Sequence, residues 1–219
     1  MYVSQIMSTE VDTATPEMKL SHAANLMREK RRRFLPVVDE ENHLVGLFSH
    51  KELARAAPSD ITTLTVGEVN YLTSRITVGQ IMQKEPLSCG PGTLVEEAGM
   101  LMRTHKVGCL PVLYRDKVVG VVTEDDILDF LLDITGCYLQ DTARIAVHLP
   151  DETGTLAELL NRINAFGGYI ATVVSPVSRD ETGKRIAIVR YRSDNPESLD
   201  DHLESLGYDL ITEELPGAD

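Results

Sequence analysis

Leu20, Ala23, Ala24 and Met27 recur at i, i+3, i+4 and i+7, and Leu94, Val95, Ala98, Leu101 and Met102 repeat the stripe further along the chain. That spacing puts each set on one face of a helix. After each stripe the period changes. "LPVVD" then "HLVGLF", and "LPVLY" then "VVGVV", are short valine-rich runs that read as the two strands of a hairpin, with another helix behind each. The wording itself repeats: "VSQIM" at 3–7 returns as "VGQIM" at 78–82, and "FLPVVD" at 34–39 as "CLPVLY" at 109–114, both 75 residues on. Gly46 with Gly120, and Ser49 with Thr123, are 74 apart. One residue is lost between the matching strands, where "DEENH" and "YRDK" predict turns, which tolerate changes of length. The pattern predicts two copies of one unit, over 1–56 and 78–134, joined by residues 57–77, which are polar at first and partly helical near Tyr71 and Leu72.

After "DITGCYLQDTA" the pattern is different. "RIAVHL" reads as a strand, "TLAELLNRINAF" as a helix, "YIATVVSPV" and "RIAIVRYR" as strands around "SRDETG", "PESLDDHLESL" as a helix and "YDLITEEL" as a last strand. Strand-helix-strand-strand-helix-strand is the ferredoxin-like order, expected over 143–215, and makes the fold class α+β. A sheet of this kind leaves exposed edges. "RIAIVRYR" or a neighbour would be a hazard unless paired with a second chain, so a homodimer is expected.

Composition removes several function classes. With 21 Lys plus Arg against 34 Asp plus Glu, the 219-residue chain carries a formal charge of −13. Such a surface repels a polyphosphate backbone, so nucleic acid is not an expected partner. The basic run "REKRRR" at 28–33 is short and suits one small anion. No apolar run approaches the roughly 18 residues of a spanning helix, and "MYVSQIMSTEVD" has no signal-like pattern, so a cytoplasmic protein away from membranes is expected. Cys89, Cys109 and Cys137 are odd in number and widely spaced, unlike a disulfide framework or a zinc site. His22, His43, His50, His105, His148 and His202 are scattered, and "TGTLAEL" lacks the spacing of a phosphate-binding loop. No catalytic or metal-binding residues are therefore expected.

The chemistry that recurs is hydroxyl-x-x-acid at a strand-to-helix junction: Thr123 with Asp126, and Ser49 with Glu52. One reading is a capping box, in which hydroxyl and acid satisfy free amides of the helix end. The other adds a ligand. A helix N-terminus attracts phosphate, and a nearby carboxylate accepts from ribose hydroxyls.

"IM" at the entry, "LPV" in the middle and "G-x-x-[ST]-x-x-[DE]" at the end, in the same order twice over residues 1–134, resemble a tandem pair of cystathionine-beta-synthase (CBS) domains. The resemblance implies two βαββα repeats in a pseudo-twofold disc, with clefts for an adenine nucleotide (AMP, ADP or ATP) or another adenosyl compound as regulatory ligand, not as catalytic cofactor. Carried over residue by residue, it gives Thr123 the phosphate or ribose and Asp126 the ribose diol. Gly108, Cys109, Leu110 and Pro111 would border the adenine, with Leu87, Ser88 and Cys89 opposite. The first copy departs from the pattern. Glu52, one methylene longer than aspartate, would crowd the ribose, so Ser49, Glu52, Arg32, Arg33 and Phe34 are expected to form a weaker second cleft. Arg32 and Arg33 either reach bound phosphate there or form a solvated helix end.

"LPDETGTLAELLNRINAFGGYIATV" resembles an ACT domain, a ferredoxin-like regulatory module. That resemblance implies an amino-acid effector at Asp151, Gly154 and Leu156. Thr153 and Tyr169 stand where the family commonly has proline and asparagine, which leaves a purely dimerising module as the alternative. A CBS pair followed by one ACT domain is similar to the acetoin-utilisation protein B family. Two functions remain: a ligand-sensing regulator acting on a partner protein, and a ligand-free scaffold that assembles through protein contacts.

Overall fold

The structure, a computed structural model, describes residues 1–56, 75–179 and 182–211. The helical expectation near Tyr71 and Leu72 lies outside the described residues. The chain divides into two compact units, Met1–Leu128 and Asp129–Asp219. Among the described residues no helix is long and apolar enough to cross a membrane.

In the first unit the two expected copies are visible. Helix α1 (Leu20–Glu29) precedes the hairpin β1 (Phe34–Val38) and β2 (Leu44–Ser49), which runs into α2 (His50–Ala56). The second copy has α3 (Val78–Ile81) and β3 (Gln83–Lys84), then α4 (Val95–His105), β4 (Cys109–Tyr114), β5 (Lys117–Thr123) and α5 (Glu124–Ile134). Leu20, Ala23 and Met27 are buried on α1, and Val95, Ala98 and Met102 on α4, as the stripes predict. Both helices end alike. Arg31 (φ 52°) and Lys106 (φ 55°) are left-handed, and the N–H of the residue that follows each returns to Met27 or Met102.

The missing residue is at the hairpin tips. In the first, Asp39 Oδ1 accepts from the Glu41 and His43 amides at 3.0 and 2.8 Å and holds a longer loop. In the second, Arg115 (φ 52°) and Asp116 (φ 65°) form a two-residue turn of the mirror-image kind that suits a tight hairpin.

The entry segments are exchanged between the copies. Val3 N–H donates to Thr93 O at 2.8 Å, and Ser8 bridges Val121 of β5 through two 3.0 Å bonds. Reciprocally, Val78 N–H donates to Met18 O at 2.9 Å, and β3 pairs with β2 at Gly46 and Leu47. The apolar cores follow: Val78 is buried with Leu20, Met27, Leu35 and Phe48, and Val3 with Ala98, Met102, Leu110 and Val122. Each packed core therefore contains one segment from the other sequence repeat.

The second unit follows the expected order: β6 (Ala143–Leu149), α6 (Thr155–Ala165), β7 (Tyr169–Val174), β8 (Arg185–Arg192), α7 (Pro196–Ser205) and β9 (Asp209–Leu210). The sheet is antiparallel in the order β7-β8-β6-β9, the ferredoxin-like arrangement. Leu159 and Ile163 of α6, and Leu199 and Leu203 of α7, bury against Val147, Ala187, Val189 and Tyr191. "RIAIVRYR" is thus an interior strand, hydrogen-bonded to β7 on one side and β6 on the other, and its alternate residues supply the core. Its neighbour β7 stands at the edge instead.

Candidate functional site

At both strand-to-helix junctions the capping box is formed. The backbone N–H and hydroxyl of Thr123 both donate to Asp126 Oδ2 at 2.7 Å, and the Asp126 amide is 3.4 Å from Thr123 Oγ1. In the first copy Ser49 N–H donates to Glu52 Oε2 at 3.1 Å, the Ser49 hydroxyl donates to the same oxygen, and the Lys51 amide reaches Ser49 Oγ at 3.2 Å. Each box uses one carboxylate oxygen. Asp126 Oδ1 keeps its accepting capacity, so capping the helix and holding a ligand hydroxyl are compatible roles for this residue.

Thr123 and Asp126 line a cleft of about 230 Å³. Its other walls come from the first repeat: Ser8, Glu10, Val11 and Asp12 of the entry segment, and Arg31, Arg32, Arg33 and Phe34 of the turn between α1 and β1. Arg32, Arg33 and Phe34 line the cleft of Thr123 and Asp126, and Arg33 and Phe34 also adjoin the first junction along the backbone: Phe34 pairs with Ser49 across the β1–β2 ladder, and the His50 amide donates to Arg33 O at 3.3 Å.

The residues expected to border the adenine fall into two groups. Gly108 lies beside the cleft wall: a Cβ there would stand 3.2 Å from both the Phe34 ring and the Glu124 carboxylate. Cys109, Leu110 and Pro111 are buried in β4. Leu87 and Cys89 pack on the core around Leu110 and Val112, with the Cys89 amide donating to Pro111 O at 3.1 Å. None of Cys109, Leu110, Pro111, Leu87, Ser88 and Cys89 lines the Thr123 cleft. Burial pushes the Cys89 thiol up to about 11 and, with Asp126 and Cys89 adding to it, the Cys109 thiol up to about 12.

The charges of the cleft are arranged in pairs. Arg32 Nε donates to Asp12 Oδ2 at 2.8 Å and its Nη2 to Glu10 O at 3.1 Å, which ties the entry segment to the corner. Arg33 Nη2 meets Asp125 Oδ2 at 2.6 Å, and its guanidinium lies 5.7 Å from the Phe34 ring centroid. Counted 75 residues on, the counterparts of Arg31, Arg32 and Arg33 are Lys106, Val107 and Gly108. The corresponding corner of the second copy thus offers one cation where the first offers three. Sequence reasoning missed Ser8, Glu10, Asp12, Arg31 and Asp125, which carry no motif. The basic run "REKRRR" was the only signal.

In the second unit Gly154 (φ 95°) caps α6 in the left-handed region that favours glycine, and Leu156 packs on the core. The Asp151 carboxylate is paired with Arg179 and, at 3.4 Å, with Arg185. A cavity of about 370 Å³ in this unit is lined by residues such as Thr155, Glu158, Arg162 and Tyr208, and by none of these three loop residues. Among the described residues no group of three or more His, Cys, Asp or Glu side chains is placed to hold a metal ion.

Comparison with known proteins bears on the first unit. Residues 3–59 and 78–133 match the family model of the CBS domain. A CBS domain-containing protein of Dictyostelium discoideum is 30% identical over 133 residues, covering 60% of this chain and 92% of that protein. The solved structure of a protein named for acetoin utilization, AcuB, from Vibrio cholerae is 25% identical with a TM-score of 0.53, covering 63% of this chain and 95% of that one. CBSX2, solved in complex with AMP, is 27% identical with a TM-score of 0.52 over 61% of this chain and 97% of its own. The repeated hairpins and capping boxes, and a family model spanning more than half of the residues, establish that this chain belongs to the CBS domain family.

Proposed function

We propose that this chain is a non-catalytic, ligand-sensing regulator whose Thr123–Asp126 cleft binds an adenine nucleotide or another adenosyl compound. The observation that carries the reading is one cleft holding a helix N-terminus, a carboxylate with a free oxygen and three arginines. Helix amides and guanidinium groups suit phosphate, and Asp126 Oδ1 suits a ribose diol. AMP bound to the 27%-identical CBSX2 supports the ligand class. The ranking of the clefts rests on chemistry as well: Asp126 is shorter than Glu52, and the arginines face Thr123. Thermal unfolding with adenosine, AMP, ADP, ATP and S-adenosylmethionine tests the reading. A ligand present at 100 times its Kd should stabilise the protein by about 2.7 kcal/mol. No shift with any of them at millimolar concentration would leave the scaffold reading.

The second unit is proposed as an ACT-like module, supported by its strand order. Pairing of Asp151 with two arginines favours assembly over an amino-acid effector for it. A cytoplasmic homodimer of the acetoin-utilisation protein B type, acting on a partner protein, is the form of the regulator that this reading proposes.

A further inference from the structure

We propose that the Thr123 cleft selects for a single phosphate group, taking adenosine monophosphate in preference to the triphosphate, and that Arg31 is the phosphate's partner. The inference rests on the nucleotide reading above and adds the charge class of the ligand. Of the three arginines lining the cleft, Arg32 is held by Asp12 and the Glu10 carbonyl, and Arg33 by Asp125. Arg31 lines the same cleft, is exposed, and has no ion pair or hydrogen-bonded side-chain partner among the described residues. Its backbone is fixed. The left-handed φ of 52° is enforced by the helix-closing bond from the Arg32 amide to Met27 O at 2.8 Å, so the corner is set before any ligand arrives.

One guanidinium presents a fork of N–H groups that matches one phosphate group. Beyond that the cleft is poorly matched to negative charge, because its three guanidinium groups share it with the carboxylates of Glu10, Asp12, Asp125 and Asp126. A second or third phosphate finds no unpaired cation among the described residues that line the cleft. It must displace Asp125 from Arg33 or lie against a carboxylate, and like charges that close repel in a cleft only partly open to water.

Calorimetry on the full chain, in chelator and without divalent cations, tests this with adenosine, AMP and ATP. AMP should bind about tenfold more tightly than either, the effect expected of a single charge-assisted hydrogen bond. Arg31→Gln should bring AMP down to the level of adenosine and leave adenosine unchanged, and Arg31→Lys should restore part of the difference. Asp125→Asn, which removes a carboxylate and releases Arg33, should narrow the gap between AMP and ATP. ATP binding as tightly as AMP would overturn the ranking. Equal losses of adenosine and AMP in Arg31→Gln would overturn the assignment of Arg31. Failure of all three compounds to bind would remove the nucleotide reading itself, and the ranking with it.

Discussion

The thioether of Met82 fills the space that a Cβ on Gly46 would occupy, and Met7 Sδ stands 2.5 Å from the corresponding position on Gly120. Each methionine comes from one repeat and each glycine from the other. The repeated "IM" and the repeated strand glycine are thus two halves of one contact, made twice, that locks each entry segment onto the other copy's hairpin. Gly46→Ala and Gly120→Ala should each destabilise the first unit by about 1 to 3 kcal/mol, the usual cost of overpacking. Urea unfolding measures this. Combining Gly46→Ala with Met82→Ala should cost less than the sum of the two single changes, since the pair is in contact.

The thiols should differ sharply in reactivity. Cys89 and Cys109 are held up at about 11 and 12 by burial, whereas Cys137 is exposed. The thiolate is the reactive form, so at neutral pH one of the three free cysteines should be alkylated in the native protein and all three in denaturant. Rapid native labelling of Cys109 would contradict the buried position of β4.

Acid should weaken the fold through two surface carboxylates. The Arg192 guanidinium hydrogen-bonded to Asp141 holds that carboxyl below its ordinary 3.8, and the His43 amide does the same for Asp39. A lowered folded-state pKa means that the unfolded chain binds protons first. The contribution is present above 3.8 and is lost as the pH falls through the folded values. Asp141→Asn should flatten part of the acid decline of the urea midpoint, and an unchanged decline would count against the ion pair.

Light scattering should give about twice the 24.2 kDa chain mass at micromolar protein. The edge strand β7, with Tyr169 63% exposed, is the surface that a second copy would cover. A charge introduced there by Thr172→Lys or Val174→Lys should shift the mass toward the monomer. A monomer in the unaltered chain would refute the homodimer.

Much of this arrangement was legible because its signals are local. Valine-rich runs bounded by "DEENH" and "YRDK" located both hairpins, and hydroxyl-x-x-acid located both capping boxes, since each depends on neighbours within a few residues. The exchange of entry segments was not legible. Val3 and Val78 sit in near-identical sequence, so periodicity is the same whichever core receives them, and only long-range contacts decide. Nor does the repeat reveal that Arg32, Arg33 and Phe34, the last paired with Ser49 in the first hairpin, also line the cleft of Thr123. Alternation did not decide whether "RIAIVRYR" or a neighbour forms the edge, because it reports which face is buried and says nothing about how many strands lie alongside; the edge is β7.

The cleft at Thr123 and Asp126, not the junction at Ser49 and Glu52, is the proposed nucleotide site. Calorimetric titration of AMP into Asp126→Asn and Glu52→Gln compares them directly, because each amide keeps an oxygen to cap its helix while losing the carboxylate charge. Asp126→Asn should weaken binding by about tenfold or more, corresponding to roughly 1.5 to 3 kcal/mol for a charge-assisted hydrogen bond, while Glu52→Gln leaves it close to the unaltered chain. Equal losses in both variants, or a greater loss in Glu52→Gln, would refute the Thr123–Asp126 cleft as the preferred site.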